Sequence, residues 1–104
     1  MDIQLKRGSL DVLVLAALLK EDSYGYKIIQ SLKDVVEISE STLYPILKRL
    51  ESSDCLESYS IAYNGRLRKF YKITQKGQEK IKEYLIDFKE LMLIYEFIAK
   101  EVSK

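Results

Sequence analysis

The side chains with the clearest chemical potential are seven basic residues that lie between positions 64 and 82, with one acidic residue among them. The basic residues are Arg66, Arg68, Lys69, Lys72, Lys76, Lys80 and Lys82, and the acidic residue is Glu79. The whole chain has a net charge of only +1, so all of its basic excess lies in this stretch. Because salt screens distant charges, such a local cluster can attract phosphate groups on a nearly neutral protein. An ordinary hairpin followed by a solvated helix face would explain the same cluster.

Residues for most enzymatic and metal chemistry are scarce. The chain has no histidine, and Cys55 is its only cysteine, so the residues that most often bind zinc, transfer protons near neutral pH or form disulfides are missing. No nucleophile is placed beside a base, and no glycine-rich phosphate loop is present. The sequence therefore predicts no catalytic residue, no metal, no cofactor and no enzymatic activity. We expect Cys55 to be a small buried hydrophobic residue beside Leu56.

A second candidate binding surface lies on a helix that is predicted to run from Ser39, a typical N-cap residue, to about Ser53. Its inward positions are apolar: Leu43, Ile46, Leu47 and Leu50. Its outward face carries Ser41, Tyr44, Pro45 and Lys48 at helical spacing, flanked by Thr42 and Arg49. A face that only meets water would normally carry charged residues at the positions of the ring and the proline. This face is therefore a candidate contact surface.

Two further helices must support these surfaces. The apolar run that follows Ser9 predicts a first helix over residues 9–20, with its first residue as the N-cap. A second helix is predicted to be capped by Asp22 or Ser23 and to reach about Val36. Gly25 lies inside this second helix, where the lack of a side chain permits close packing.

A β-hairpin follows the third helix. Residues 57–63 alternate with a period of two, Asn64-Gly65 is a strong turn signal, and residues 69–74 predict the returning strand. Three helices followed by a hairpin are typical of a winged helix-turn-helix, a mainly helical fold with a small β-hairpin. Three of the basic residues lie on the tip and the returning strand: Arg66, Arg68 and Lys69.

The last helix is predicted to begin after the N-cap Thr74 and to extend to about Val102. It carries an apolar heptad seam of Ile81, Leu85, Phe88, Met92, Tyr95, Ala99 and Val102, and a second apolar face of Ile86, Leu93, Ile94 and Phe97. A terminal helix cannot bury two faces against its own small domain, so the sequence predicts a homodimer. We therefore divide the chain into a winged helix-turn-helix domain over residues 1–74 and a dimerisation helix over residues 75–104.

The length of 104 residues is that of one small domain. The uncharged run over residues 12–19 is far shorter than the roughly 20 residues of a membrane span. No cleavage site typical of a signal peptide is evident near the N-terminus. We therefore expect a cytoplasmic protein that makes no membrane contact.

With these elements in place, the sequence resembles the PadR family of transcriptional regulators over nearly its full length. The most specific match is the run Thr-Leu-Tyr-Pro-Ile-Leu-Lys-Arg-Leu-Glu at residues 42–51, because no generic amphipathic helix requires that arrangement. Shorter matches are Arg7-Gly8-Ser9-Leu10, Tyr24-Gly25-Tyr26 with Ile28, Gly65-Arg66, Arg68-Lys69-Phe70-Tyr71, and Ile73-Thr74 with Gly77.

The resemblance implies a repressor that is dimeric through its last helix, blocks transcription and releases DNA when an effector binds. The chain looks like the short subfamily that lacks a larger C-terminal region, and some members of that subfamily bind flat aromatic drugs between the two dimer helices. Relatives usually have glycine at the position of Asp54, which tolerates a left-handed turn less well than glycine but better than most residues. Many have Gly-Arg-Pro where this chain has Gly65-Arg66-Leu67, so its wing tip is expected to be less rigid.

We expect the third helix to enter the major groove of double-stranded DNA at an inverted-repeat operator, and the hairpin to reach the minor groove or the backbone. The predicted DNA-binding residues are Ser41, Thr42, Tyr44, Lys48, Arg66, Arg68 and Lys69. Arg49 is expected either to pair with an acid such as Asp54 or to contact DNA. A pocket for an aromatic effector is predicted from Leu10, Leu13, Phe88, Met92 and Tyr95, which would otherwise be ordinary dimer core. The alternative function is that of a winged-helix module that binds another protein.

Overall fold

The computed structural model describes residues 3–104, with side chains from residue 8 onward. Its elements follow in the order α1 (Ile3–Ala17), β1 (Ser23–Tyr24), α2 (Gly25–Leu32), α3 (Glu40–Ser52), β2 (Leu56–Tyr63), β3 (Arg66–Ile73) and α4 (Gln75–Val102). The fold class predicted from the sequence, three helices, a hairpin wing and a long last helix, is confirmed. No helix within residues 3–104 combines the length and the hydrophobicity that a membrane span requires.

The core lies between the first three helices and the base of the hairpin. All four apolar positions predicted to face inward on α3 are buried there: Leu43, Ile46, Leu47 and Leu50. They pack with Leu15 of α1, with Leu18 just after it, and with Ile28 of α2. Burial of each such side chain contributes about 1.5–3 kcal/mol, so this cluster holds the three helices together. Cys55 belongs to the same cluster, as predicted.

The hairpin forms a three-stranded antiparallel sheet in the order β1-β3-β2. Its register runs from the Leu56–Ile73 pair at the base to the Tyr63–Arg66 pair at the tip. Asn64 has a φ of 48° and Gly65 a φ of 77°, the left-handed values of the tight turn that this dipeptide predicts. The two-residue strand β1 was not predicted from the sequence, and it pairs with Phe70 and Tyr71 of β3.

The joint between the hairpin and α4 is held by Thr74, the predicted N-cap. Its hydroxyl accepts a hydrogen bond from the Gly77 amide at 3.1 Å and donates one to the Asp54 carbonyl at 2.6 Å. Gly77 itself is buried, and a Cβ atom at this position would collide with the backbone carbonyl oxygen of Cys55. The first turn of α4 is therefore fixed tightly against the segment that links α3 to β2.

The first helix begins earlier than predicted. Its described residues start at Ile3, so Ser9 lies within the helix and does not cap it. The Ser9 hydroxyl instead forms a 2.7 Å hydrogen bond with the hydroxyl of Tyr84 on α4. A partner 75 residues away cannot be recognised from local sequence. A serine before an apolar run gives the same local pattern whether it caps the helix or lies within it.

The predicted caps and end of the second helix are also wrong. Ser23 is buried in β1, and Asp22 accepts a hydrogen bond from the Tyr59 hydroxyl at 2.6 Å. Neither caps α2, whose N-cap is Tyr24 in an extended conformation without a capping hydrogen bond from its side chain. The helix ends at Leu32, before Val36. Pairing of β1 with β3 holds the preceding segment in an extended form and thereby delays the start of the helix.

Arg49 forms an internal ion pair, but its partner is not Asp54. Its Nη2 atom lies 2.7 Å from Oδ1 of Asp11 on α1, and the Asp11 side chain is 13% exposed. Asp54 follows the end of α3 with a φ of 63°, the left-handed turn that the sequence analysis expected there. The Asp11–Arg49 pair therefore links α1 to α3.

We predict that Asp11→Asn lowers the free energy of unfolding by about 1–2 kcal/mol, because it leaves a partly buried guanidinium without its charged acceptor. The matched control is Glu21→Gln. Glu21 lies 2.7 Å from Lys27, but both side chains are about half exposed or more, so the loss should stay below about 0.5 kcal/mol. Urea unfolding of both variants measures the difference. Equal losses would contradict a special role of the Asp11–Arg49 pair.

Candidate nucleic-acid interface

The outward face of α3 is exposed to solvent. Its predicted contact residues are all exposed: Ser41, Thr42, Tyr44 and Lys48. At the start of the helix, the Ser39 hydroxyl accepts a hydrogen bond from the Thr42 amide at 3.3 Å, and it also lies 2.9 Å from the Ser41 hydroxyl. The first turn of α3 thus presents a group of hydroxyls beside the positive end of the helix dipole.

The wing presents its basic side chains in two different ways. The guanidinium of Arg68 lies 4.1 Å from the ring centre of Tyr24 and 5.2 Å from that of Tyr63. These cation–π contacts restrict the side chain and are worth about 0.5–1 kcal/mol each at an exposed site. Lys69 lies 3.8 Å from a carboxylate oxygen of Glu51 on α3, so part of its charge is compensated within the chain. Arg66 is exposed beside the turn.

A cleft of about 670 Å³ separates the wing from the start of α2 and from α3. It brings together four of the seven predicted DNA-binding residues: Tyr44, Arg66, Arg68 and Lys69. The remaining three lie elsewhere on the exposed face of α3. Thr42 lines a separate groove with Leu10 and Ile38, and Lys48 lies in a shallow depression with Pro45 and Arg49.

Four tyrosines that line this cleft were not predicted as site residues: Tyr24, Tyr26, Tyr63 and Tyr71. Tyr71 lies at its floor, and burial raises the pKa of its phenol, with a further contribution from the nearby carboxylate of Glu51. The signal in the sequence was the unusual number of tyrosines, eight in 104 residues without a tryptophan. Their convergence on one cleft depends on the pairing of β1 with β3, which the sequence did not reveal.

A second aromatic group, which includes Tyr24, lies on the wing sheet. The Phe70 ring stacks on Tyr59 at 5.8 Å and meets Tyr24 edge to face at 5.3 Å. The pKa of Tyr59 is raised, because its hydroxyl donates a hydrogen bond to the Asp22 carboxylate. These contacts attach the wing to the segment that precedes α2.

Most of the predicted dimerisation seam on α4 is exposed in the single chain. Its exposed members are Leu85, Phe88, Met92, Tyr95, Ala99 and Val102. Ile81 differs, since it packs against the core of its own domain. The Phe88 ring stacks on Tyr84 at 5.8 Å, while Leu10 and Leu13, the other predicted pocket residues, are partly buried against the core.

Comparison with known proteins identifies the family. A family model described as the transcriptional regulator PadR-like family matches residues 14–83, which is more than half of the chain. The chain belongs to the PadR-like family. The resemblance found in its sequence is thereby confirmed, and the protein is a transcriptional regulator of the DNA-binding winged-helix type, not an enzyme.

Solved structures of other regulators agree with this PadR-like fold. The chain is similar to a PadR-like transcription factor from Bacteroides fragilis, with 36% identity, a TM-score of 0.81, and coverage of 91% of this chain and 94% of the other. A PadR family regulator from Eggerthella lenta is 34% identical with a TM-score of 0.83, covering 93% and 87% of the two chains. Bacillus subtilis PadR, solved in complex with operator DNA, shares the fold at 24% identity and a TM-score of 0.70, over 75% of this chain and 47% of the other.

Proposed function

We propose that this PadR-like protein is a homodimeric repressor that binds an inverted-repeat operator in double-stranded DNA and is released by a planar aromatic effector. The observation that carries the proposal is the cleft, in which the recognition face of α3 and the basic wing converge through Tyr44, Arg66, Arg68 and Lys69. Charged and hydroxyl groups on two sides of one cleft suit a polyanionic backbone that passes between them. We propose a functional division between residues 1–74, which bind DNA, and residues 75–104, which form the dimer.

In this proposal α3 lies in the major groove, where Tyr44 and Lys48 reach base edges and phosphates. Ser41 and Thr42, in the first turn of α3, hydrogen-bond a phosphate and fix the register of the protein on the duplex. Arg66, Arg68 and Lys69 contact the backbone or the minor groove from the wing. Bacillus subtilis PadR, which has the same fold, was solved in complex with operator DNA, and this supports DNA as the ligand.

Lys48→Ala and Arg66→Ala should each weaken operator binding by up to about 3 kcal/mol. Each should also reduce the slope of log affinity against log salt concentration by about 1. Lys100→Ala, at the far end of α4, is the matched control and should change neither quantity. Fluorescence anisotropy with the upstream region of the protein's own gene and with a scrambled duplex, at several salt concentrations, provides both measurements. If both the Lys48→Ala and the Arg66→Ala proteins keep the affinity and the salt slope of the parent, these residues do not bind DNA.

Binding of a protein partner that is insensitive to salt would favour the alternative function, a winged-helix module that binds another protein.

The dimer proposal is supported by the apolar surface of α4. Its side chains Leu85, Leu93 and Tyr95 are each 60% exposed or more in the single chain, which is unusual for so many large apolar residues on one helix. A two-fold dimer that covers the seam would carry two copies of α3. The half-sites of the operator would then lie about 10 or 20 base pairs apart.

Met92→Glu should therefore shift the protein from dimer to monomer, because a carboxylate in the seam would lose its hydration on association. Lys89→Glu introduces the same side chain at an exposed position outside the seam and should leave the dimer intact. Sedimentation velocity over a range of protein concentrations measures the change. A dimeric Met92→Glu protein would show that the interface lies elsewhere.

We propose that the effector binds between the dimer helices, against Phe88, Met92 and Tyr95, with Leu10 or Leu13 of α1 at the edge. The aromatic side chains of this set favour a flat aromatic ligand. Planar aromatic compounds should quench the tyrosine fluorescence of the protein and weaken its binding to the operator. The Tyr59→Phe variant, altered on the wing alone, should respond in the same way. A flat response across a chemically diverse set would leave these residues as ordinary dimer core.

A further inference from the structure

We infer that Gly25 is a positioning residue for DNA recognition: its missing side chain gives the Tyr44 phenol its place in the cleft. The inference rests on the proposed function, in which Tyr44 contacts DNA. It adds a residue that touches no DNA itself and acts through the ring packed on it.

The packing of the two residues is close. A Cβ atom built on Gly25 would lie 2.8 Å from the hydroxyl oxygen of Tyr44, 3.2 Å from its Cζ and 3.6 Å from its Cε1. Separations below about 3.0 Å are not tolerated by real Cβ atoms, so the phenol occupies the space that any larger residue would need. Gly25 is buried, whereas Tyr44 is 47% exposed. One end of the ring thus rests on α2 while the remainder faces the cleft.

The backbone of Gly25 is held more firmly than the ring. Tyr24, its neighbour, is paired with Phe70 in the sheet, and Ile28, one turn later, is fully buried in the core. The Tyr44 hydroxyl, in contrast, is the far end of a flexible side chain. An alanine at position 25 would therefore displace the phenol and leave α2 in place.

The stability of the alanine variant separates a positioning role from a structural one. Gly25 is the first residue of α2 and does not have a positive φ, so alanine fits its backbone conformation. A purely structural role of Gly25 in close packing predicts a lower melting temperature with unchanged DNA binding of the folded protein. The positioning account predicts similar stability with weakened DNA binding.

The experiment compares six full-length proteins: the parent, Gly25→Ala, Tyr44→Phe, the double variant of these two, Tyr44→Ala and the control Gly8→Ala. Operator affinity is measured by anisotropy at one salt concentration, and melting temperature by circular dichroism. Gly25→Ala should weaken binding about tenfold, the size of one lost contact. In the Tyr44→Phe background, which lacks the atom at 2.8 Å, the same substitution should weaken binding less than about twofold. Gly8→Ala is the control, since no described atom lies within 4 Å of a Cβ at that exposed helical position.

A second readout follows the ring without DNA. In the parent, nuclear Overhauser contacts should join the Gly25 α-protons to the ring protons of Tyr44, and Gly25→Ala should abolish the corresponding backbone contact. Two results would overturn the inference. One is an unaltered contact between residue 25 and the Tyr44 ring in Gly25→Ala, and the other is an equal loss of affinity from Gly25→Ala in the parent and in the Tyr44→Phe protein. Failure of the proposed role of Tyr44 has a different signature, because Tyr44→Ala would then bind the operator as tightly as the parent while the ring contacts still change in Gly25→Ala.

Discussion

The candidate nucleic-acid interface depends on the burial of the opposite face of α3 in the core. Leu43, Leu47 and Leu50 are at most 1% exposed, and the helical period then determines which residues point away from the domain. A rotation of α3 about its axis would bury part of the contact face and expose leucine. The Asp11–Arg49 pair lies at the border between the two faces and opposes such a rotation from the side of α1. The position of the recognition residues is thus a consequence of apolar burial on the opposite side.

The wing is coupled to α3 by polar contacts at two levels. Glu51, near the end of α3, accepts a hydrogen bond from Ser58 of β2 and lies 3.8 Å from Lys69 of β3. Below it, Thr74 bonds the carbonyl of Asp54. The width of the cleft is therefore set largely by Glu51, Ser58 and Thr74, none of which is a predicted DNA-binding residue. A regulator built in this way presents the helix and the wing as one rigid unit, so that little conformational freedom is lost on binding.

The sequence predicted a structural feature correctly where all of its determinants lie within a few residues of each other. The cap of α3 at Ser39, the Asn64-Gly65 turn and the cap of α4 at Thr74 are of this kind, and all three were predicted correctly. The errors arose where a distant partner decides the outcome. Ser9 bonds to α4, and strand β1 exists only because β3 pairs with it. For the same reason the basic wing residues were recognised from composition, whereas the four tyrosines that join Tyr44 in the cleft were not.

The closure of the hairpin at its base also bears on how such a regulator changes over evolutionary time. Leu56 pairs with Ile73, and the Thr74 amide bonds the Cys55 carbonyl at 3.1 Å, so the strands are anchored before they leave the core. Residues inserted or deleted in matched pairs of two between this anchor and the turn would keep every side chain on its face of the sheet. Selection can therefore adjust the length of the wing without changing the packing of the helices.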